Sequence, residues 1–223
     1  MKKRLVVLVL LGFFILPGCS YIKKAQRADE LALENSNLRY KISQLKKEKA
    51  QAVEEIAEEK KRELSELEQA KLELEKSLKK EIGEYKAKLK MTERGLVITF
   101  LSEVFFDSGK NDVKEEGKLS LRKVAEVFNK DAPNSNVAVE GHTDNDPIKY
   151  SAWSSNWELS SARALAVLHY LVDECEVRPG RLSANGYGEF HPVSPNDSAE
   201  NKQKNRRVEI VILPSLVSKV KAD

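Results

Sequence analysis

Cysteine is nearly absent. Cys19 and Cys175 are the only two in 223 residues, which excludes a disulfide scaffold and a cysteine-rich metal site. Aromatics make up 7% of the chain and histidines number 3. A surplus of one charge is missing too: 38 Lys and Arg face 35 Asp and Glu, for a net +3. Lys2, Lys3 and Arg4 precede the first acidic residue, Asp29, so the chain without residues 1–18 is neutral. With no basic surplus, and no basic cluster interleaved with aromatics, the sequence predicts no nucleic-acid partner. Long hydrophobic runs are lacking as well. The run from Leu5 to Leu16 would rise only ~18 Å as a helix, against a hydrocarbon core of ~30 Å.

Three basic residues followed by a short apolar run have the form of an export signal. The run ends in Leu16-Pro17-Gly18-Cys19-Ser20, which resembles a bacterial lipobox, although Pro17 departs from the small residue usual there. The resemblance implies a signal peptide over 1–18, cleavage before Cys19 and a lipidated N-terminus over 19–22. Acyl chains on Cys19, each contributing ~0.8 kcal/mol per buried methylene, would hold the chain on a membrane. In bacterial lipoproteins a residue other than Asp after the cysteine, here Ser20, implies the outer membrane, with the chain facing the periplasm.

Residues 23–94 hold 19 Lys and Arg, 16 Asp and Glu, one glycine (Gly83), two aromatics and no proline. That is the composition of a solvated helix without a core of its own. Leu31, Leu38, Leu45 and Ala52 fall at heptad position d, with Ala28, Asn35, Ile42, Lys49 and Ile56 at a. After a one-residue slip near residue 60, Leu64, Lys71, Leu78 and Tyr85 take a, while Leu67 and Leu74 take d. The pattern predicts a coiled-coil spacer of ~100 Å that forms homo-oligomers. A single helix laced by i,i+4 ion pairs is the competing reading.

From Gly95 the composition turns globular, and residues 95–214 are enough for one core, followed by a tail over 215–223. Gly95 to Leu101 and Glu103 to Phe106 read as two short strands of a hairpin or bent ribbon. Asp112 with Glu115 reads as a cap ahead of a helix carrying Leu121, Val124, Ala125 and Phe128. Asn136 to Glu140, Arg181 to Tyr187 and Arg207 to Leu213 read as strands. A helix from Ser155 or Ser160 to Glu174 and a short one from Asp197 to Lys204 complete the order. Strands alternating with helices predict an α/β fold: a two-layer sandwich, a mixed sheet with helices on one face.

Two segments bear chemistry. Thr143-Asp144 lies just past a strand end, and Arg163 sits in the first turns of a helix; both are places that bind ligands. Asp144 would accept an ammonium and Arg163 would fork a carboxylate, a pair suited to a zwitterion. Alternatively, the two pair with each other. His142 with Asp144 and Asp146 has poor metal-ligand spacing on a strand, and no nucleophile motif accompanies His169 or His191. Neither a metal, a cofactor nor an enzymatic activity is predicted. Trp153 and Trp157 read as packing or helix-start residues, with stacking on sugar as the alternative.

Thr143-Asp144, Asn156 with Leu159-Ser160 and Arg163-Ala164, Gly186-Tyr187-Gly188-Glu189 with Pro192, and Asn205-Arg206-Arg207-Val208-Glu209-Ile210 follow the order of the OmpA-like C-terminal domain. The resemblance covers roughly residues 96–213, and that family includes Pal lipoproteins and the stator protein MotB. It implies noncovalent binding of peptidoglycan through the diaminopimelate of the stem peptide. Asp144 and Arg163 would grip the ligand, Asn156, Leu159 and Thr143 would line the pocket, Asp107 is a further candidate, and Arg206 would support the carboxylates. The stretch from Asn145 to Ser155 resembles the stator-type variant. The implied role is a tether between outer membrane and cell wall. A flagellar stator subunit and an envelope-assembly scaffold are the alternatives, with a peptidoglycan hydrolase behind them. A stator needs a membrane helix with a proton-carrying carboxylate, which Leu5 to Leu16 lacks.

Overall fold

The structure, a computed structural model, describes residues 2–149 and 152–214, with side chains from Tyr21 onward. The signal peptide expected over 1–18 and Cys19 therefore fall where no side chains are described, and the tail expected over 215–223 lies outside the described residues. Two compact units divide the chain at Glu58 and Glu59. The first is helix alone, the N-terminal part of α1 (Lys2–Ser77). Its apolar residues Leu31, Leu38, Ile42, Leu45 and Ile56 are all exposed.

The second unit begins within α1 and continues through α2 (Lys79–Gly83), β1 (Ala87–Thr92), β2 (Gly95–Leu101), α3 (Ser102–Phe105) and α4 (Glu115–Asp131). It is completed by β3 (Asn136–His142), α5 (Asn156–Asp173), β4 (Leu182–Gly186), α6 (Ala199–Asn205) and β5 (Arg207–Leu213). The five strands form one mixed sheet in the order β1-β2-β5-β3-β4, parallel only between β3 and β4. That parallel pair is joined through α5, as a parallel connection requires a crossover. Register aligns Leu96, Ile212, Val137 and Leu182 in one row and Ile98, Ile210, Val139 and Ala184 in the next. These rows face α4 and α5, whose Leu121, Val124, Phe128, Val167 and Leu171 complete the core. The opposite sheet face carries only a small apolar cluster of Val97, Ala138 and Val211. This is the two-layer sandwich that the sequence predicts.

Three local expectations are corrected. The helix expected through residue 94 ends at Ser77, and Ala87, Leu89 and Met91 alternate with exposed residues on edge strand β1. Tyr85, at φ 58°, turns the chain between them. Glu103 to Phe106 is not a strand but the helical turn α3 and its end, where Phe105 packs at 5.0 Å from Phe100. Lys114, rather than Asp112, precedes α4, without a side-chain cap. The last turns of α1 and the residue that follows it serve the core as well: Leu67, Ala70, Leu74 and then Leu78 are buried in it along one stripe.

Candidate functional site

The site is built where β3 ends and α5 begins. Ser155 caps α5 by accepting the N–H of Glu158, and the Glu158 carboxylate accepts the N–H of Ser154 at 2.8 Å. The first turns of α5 then press onto the strand ends, and only glycine fits there. A Cβ on Gly141 would lie 2.1 Å from the Ser160 carbonyl oxygen, and one on Gly186 would lie 2.1 Å from the Ser161 hydroxyl. This approach brings Arg163 of α5 beside Thr143-Asp144 in one polar cleft of about 630 Å³. Asp107, Asn156, Leu159 and Arg206 also line it, so all seven residues singled out in the sequence around this pocket meet at one place.

Their partners differ from a simple pair. Asp144 and Arg163 do not bridge each other; the Asp144 carboxylate is paired with Arg206 through Oδ2 and accepts the Asp146 N–H at Oδ1, 3.1 Å away. Arg163 is 5% exposed. Its Nε donates to the Lys110 carbonyl at 2.9 Å and its Nη2 to the Asp107 carbonyl at 3.1 Å. The guanidinium also lies over the Phe106 ring at 5.1 Å. Among the described residues no carboxylate lies within ion-pair distance of Arg163, and its Nη1 amino group is unengaged. Burial, reinforced by Arg206, pushes its pKa down to about 10 in spite of Asp144. The cation is thus desolvated, fixed and short of an anion.

Asn156 works as a bracket. Its Nδ2 donates to the carbonyls of Asp144 and Asp146 and to Glu189 Oε2. Thr143 donates its N–H to the Gly188 carbonyl at 2.9 Å. Leu159 supplies apolar wall. Asp107 contributes through its main chain, while its side chain is exposed and 3.5 Å from Lys110 Nζ. Trp153 donates Nε1–H to the Gly109 carbonyl at 2.9 Å, which ties the loop before α5 to the loop after α3. Phe106 and the two carbonyls were not legible as site features, because a side-chain motif carries no information about main-chain acceptors.

A second polar group lies on the sheet face opposite α4 and α5, with Glu140 and His142 buried in it. Glu140, His142 and Glu209 bring ligand atoms within 4.8 Å of one another. Each carboxylate already has a guanidinium partner, Arg94 on Glu140 and Arg207 on Glu209 at 2.6 Å. A divalent cation there would meet both guanidiniums, so the cluster reads as a charge-balanced network rather than as a metal centre. Period-two alternation placed Glu140 and His142 on one face, and register alone brought Glu209 opposite.

The fold and cleft define a two-layer α/β ligand-binding module with an unpaired buried arginine facing an aspartate. Residues 105–206 match the model of the OmpA family and form an OmpA family domain. The chain is 40% identical over 141 residues to Motility protein B of Bacillus subtilis (strain 168), covering 63% of this chain and 54% of that protein. Among solved structures, the cell wall anchor of the T6SS from Pseudomonas aeruginosa is 32% identical with a TM-score of 0.57, over 63% of this chain and 96% of that one. A MotB like protein from Desulfovibrio vulgaris is 27% identical with a TM-score of 0.62, over 68% of this chain and 93% of that one. The chain spans about half the length of the curated relatives heading that comparison.

Proposed function

We propose that the chain binds peptidoglycan noncovalently, taking the zwitterionic end of a diaminopimelate side chain into the cleft. The observation that carries this reading is Arg163, a buried guanidinium held from behind by two carbonyls with its remaining donors unused. A ligand carboxylate would complete its coordination, and Asp144, positioned by Arg206, would accept the ammonium. The solved cell wall anchor of similar fold supports the polymer as target.

The full chain in detergent should co-sediment with purified sacculi and release no soluble fragments from them. Arg163→Ala and Asp144→Ala should each weaken binding by roughly 10- to 150-fold, the range for charge-assisted contacts of ~1.5–3 kcal/mol. Arg163→Lys should fail as well, because an ammonium cannot use both carbonyls and a carboxylate in one plane. Folded variants that pellet like wild type would overturn the assignment.

The anchor we assign is acylated Cys19, which makes the protein a tether between outer membrane and wall. The exposed stripe from Leu31 to Ile56 is assigned to a second copy of the chain. A second reading, a motor-stator subunit held in the inner membrane, is favoured by the similarity to Motility protein B. The chemistry of the N-terminus separates the two.

A further inference from the structure

Trp157 and Phe190 stack on each other at the surface, with ring centroids 5.0 Å apart and planes 20° from parallel. They are 47% and 59% exposed. Stacked on each other and still this open, they present one flat apolar surface, and each ring could bury well over 100 Å². The pair is also rigidly mounted. Gly188, at φ 55°, lies against the Trp157 backbone and indole, where an added Cβ would already be 3.4 Å from the Trp157 nitrogen. Its N–H donates to the Ser160 hydroxyl at 3.0 Å, and its carbonyl accepts from Thr143.

The same ties connect the aromatic pair to the cleft. Thr143 precedes Asp144, and Asn156, the residue before Trp157, donates both to the Asp144 carbonyl and to Glu189, the residue before Phe190. Pocket wall and aromatic pair are therefore two faces of one bracket. Trp157 Nε1–H has no hydrogen-bond partner among the described residues, which leaves a donor at the edge of a flat apolar surface. A flat apolar face with a donor at its rim is the complement of a pyranose ring, whose axial C–H groups form an apolar face edged by hydroxyls.

Building on the peptidoglycan reading, we propose that the Trp157–Phe190 platform is a saccharide subsite that stacks an amino sugar of the glycan strand while the stem peptide of the same unit occupies the cleft. Each stem residue reaches at most ~3.6 Å, so a few residues bridge two sites that adjoin at Asn156. Binding the two parts of one ligand makes the second contact intramolecular.

The test compares, by calorimetry on the full chain, a muropeptide bearing its disaccharide with the same stem peptide freed of sugar. Wild type should bind the sugar-bearing form roughly 3- to 10-fold tighter, the range expected of one aromatic stacking contact. Trp157→Ala and Phe190→Ala should erase that gain and leave the free-peptide affinity unchanged, whereas Trp157→Phe should keep most of it. Equal wild-type affinity for the two ligands overturns the subsite and leaves the cleft assignment standing; no binding of either overturns both. If Trp157→Ala damages the pocket wall and weakens both ligands alike, Phe190→Ala decides, and a sugar gain surviving in that variant overturns the subsite. Variants that convert a dimer to monomer by sedimentation while the gain survives would also overturn it, assigning the pair to a second copy.

Discussion

Among the described residues, Arg163 is a buried cation with no carboxylate at ion-pair distance and His142 a buried imidazole with no hydrogen bond. His142 is 4% exposed, and neither ring nitrogen has a hydrogen-bond partner among the described residues. Its ring stacks on Tyr187 at 5.1 Å, with His191 at its edge. Burial first, then the neighbouring Arg207, His191 and Arg94, push its pKa down to about 3. An unfolded chain's imidazole takes a proton near pH 6.5, so between these values the unfolded state binds more protons than the folded one. Stability therefore falls as pH falls from about 6.5 toward 3, by up to ~1.4 kcal/mol per pH unit from this one group. Replacing it, His142→Phe, keeps the stack on Tyr187 and removes the titration. Urea unfolding at pH 7 and pH 4.5 should show a smaller loss of stability on acidification for the variant than for wild type.

At the scale of elements, the decisive contact is the approach of α5 to β3 and β4. Gly141 and Gly186 are aligned with Phe100 and Val208 across the sheet, so the third row of the core face has no side chain where the helix descends. Gly141→Ala would drive its methyl into the Ser160 carbonyl and lift the helix that carries Arg163. The expected cost is ~1–3 kcal/mol, as for overpacking elsewhere, with a loss of sacculus binding larger than thermal unfolding alone explains. The other element-level claim concerns α1. Leu74 is buried in the domain core, whereas Leu38 is exposed. Leu74→Ala should cost ~2–5 kcal/mol in urea unfolding followed by tryptophan fluorescence, because Trp153 and Trp157 both report on the second unit. Leu38→Ala should leave that transition unmoved and instead weaken self-association.

For the whole molecule, the proposed tether needs an anchor at one end of the sequence and a wall-binding cleft near the other. Cys19→Ala should abolish acylation and leave the precursor uncut, which mass spectrometry of the purified N-terminus decides. An intact Met1 to Leu16 segment in the wild-type protein would overturn the lipid anchor. Analytical ultracentrifugation of the full chain should show concentration-dependent association that is lost when Leu38 and Ile42 are both changed to Ala, since both lie on the exposed stripe.

Sequence by itself determined many of the features that depend on neighbours along the chain. The alternation of Val208, Ile210 and Ile212 and the order of motifs from Thr143 to Ile210 are legible along the chain, whereas Ser155 and Ser160 both stood as starts of α5 and the structure selects Ser155. Sequence also placed Asp144 and Arg163 in one site. Tertiary structure decided what depends on neighbours across space. An amphipathic stripe says that a helix has an apolar face and not what covers it, so Leu67, Leu74 and Leu78 read as a seam for a second helix and turned out to face their own domain. Lys-rich composition concealed the period-two alternation of Ala87, Leu89 and Met91, which became a strand because β2 offered an edge to pair with. Above all, the partner of Asp144 is Arg206 and the partners of Arg163 are main-chain carbonyls. Every residue carries a carbonyl, and only the fold selects the two that hold a guanidinium with its remaining donors free.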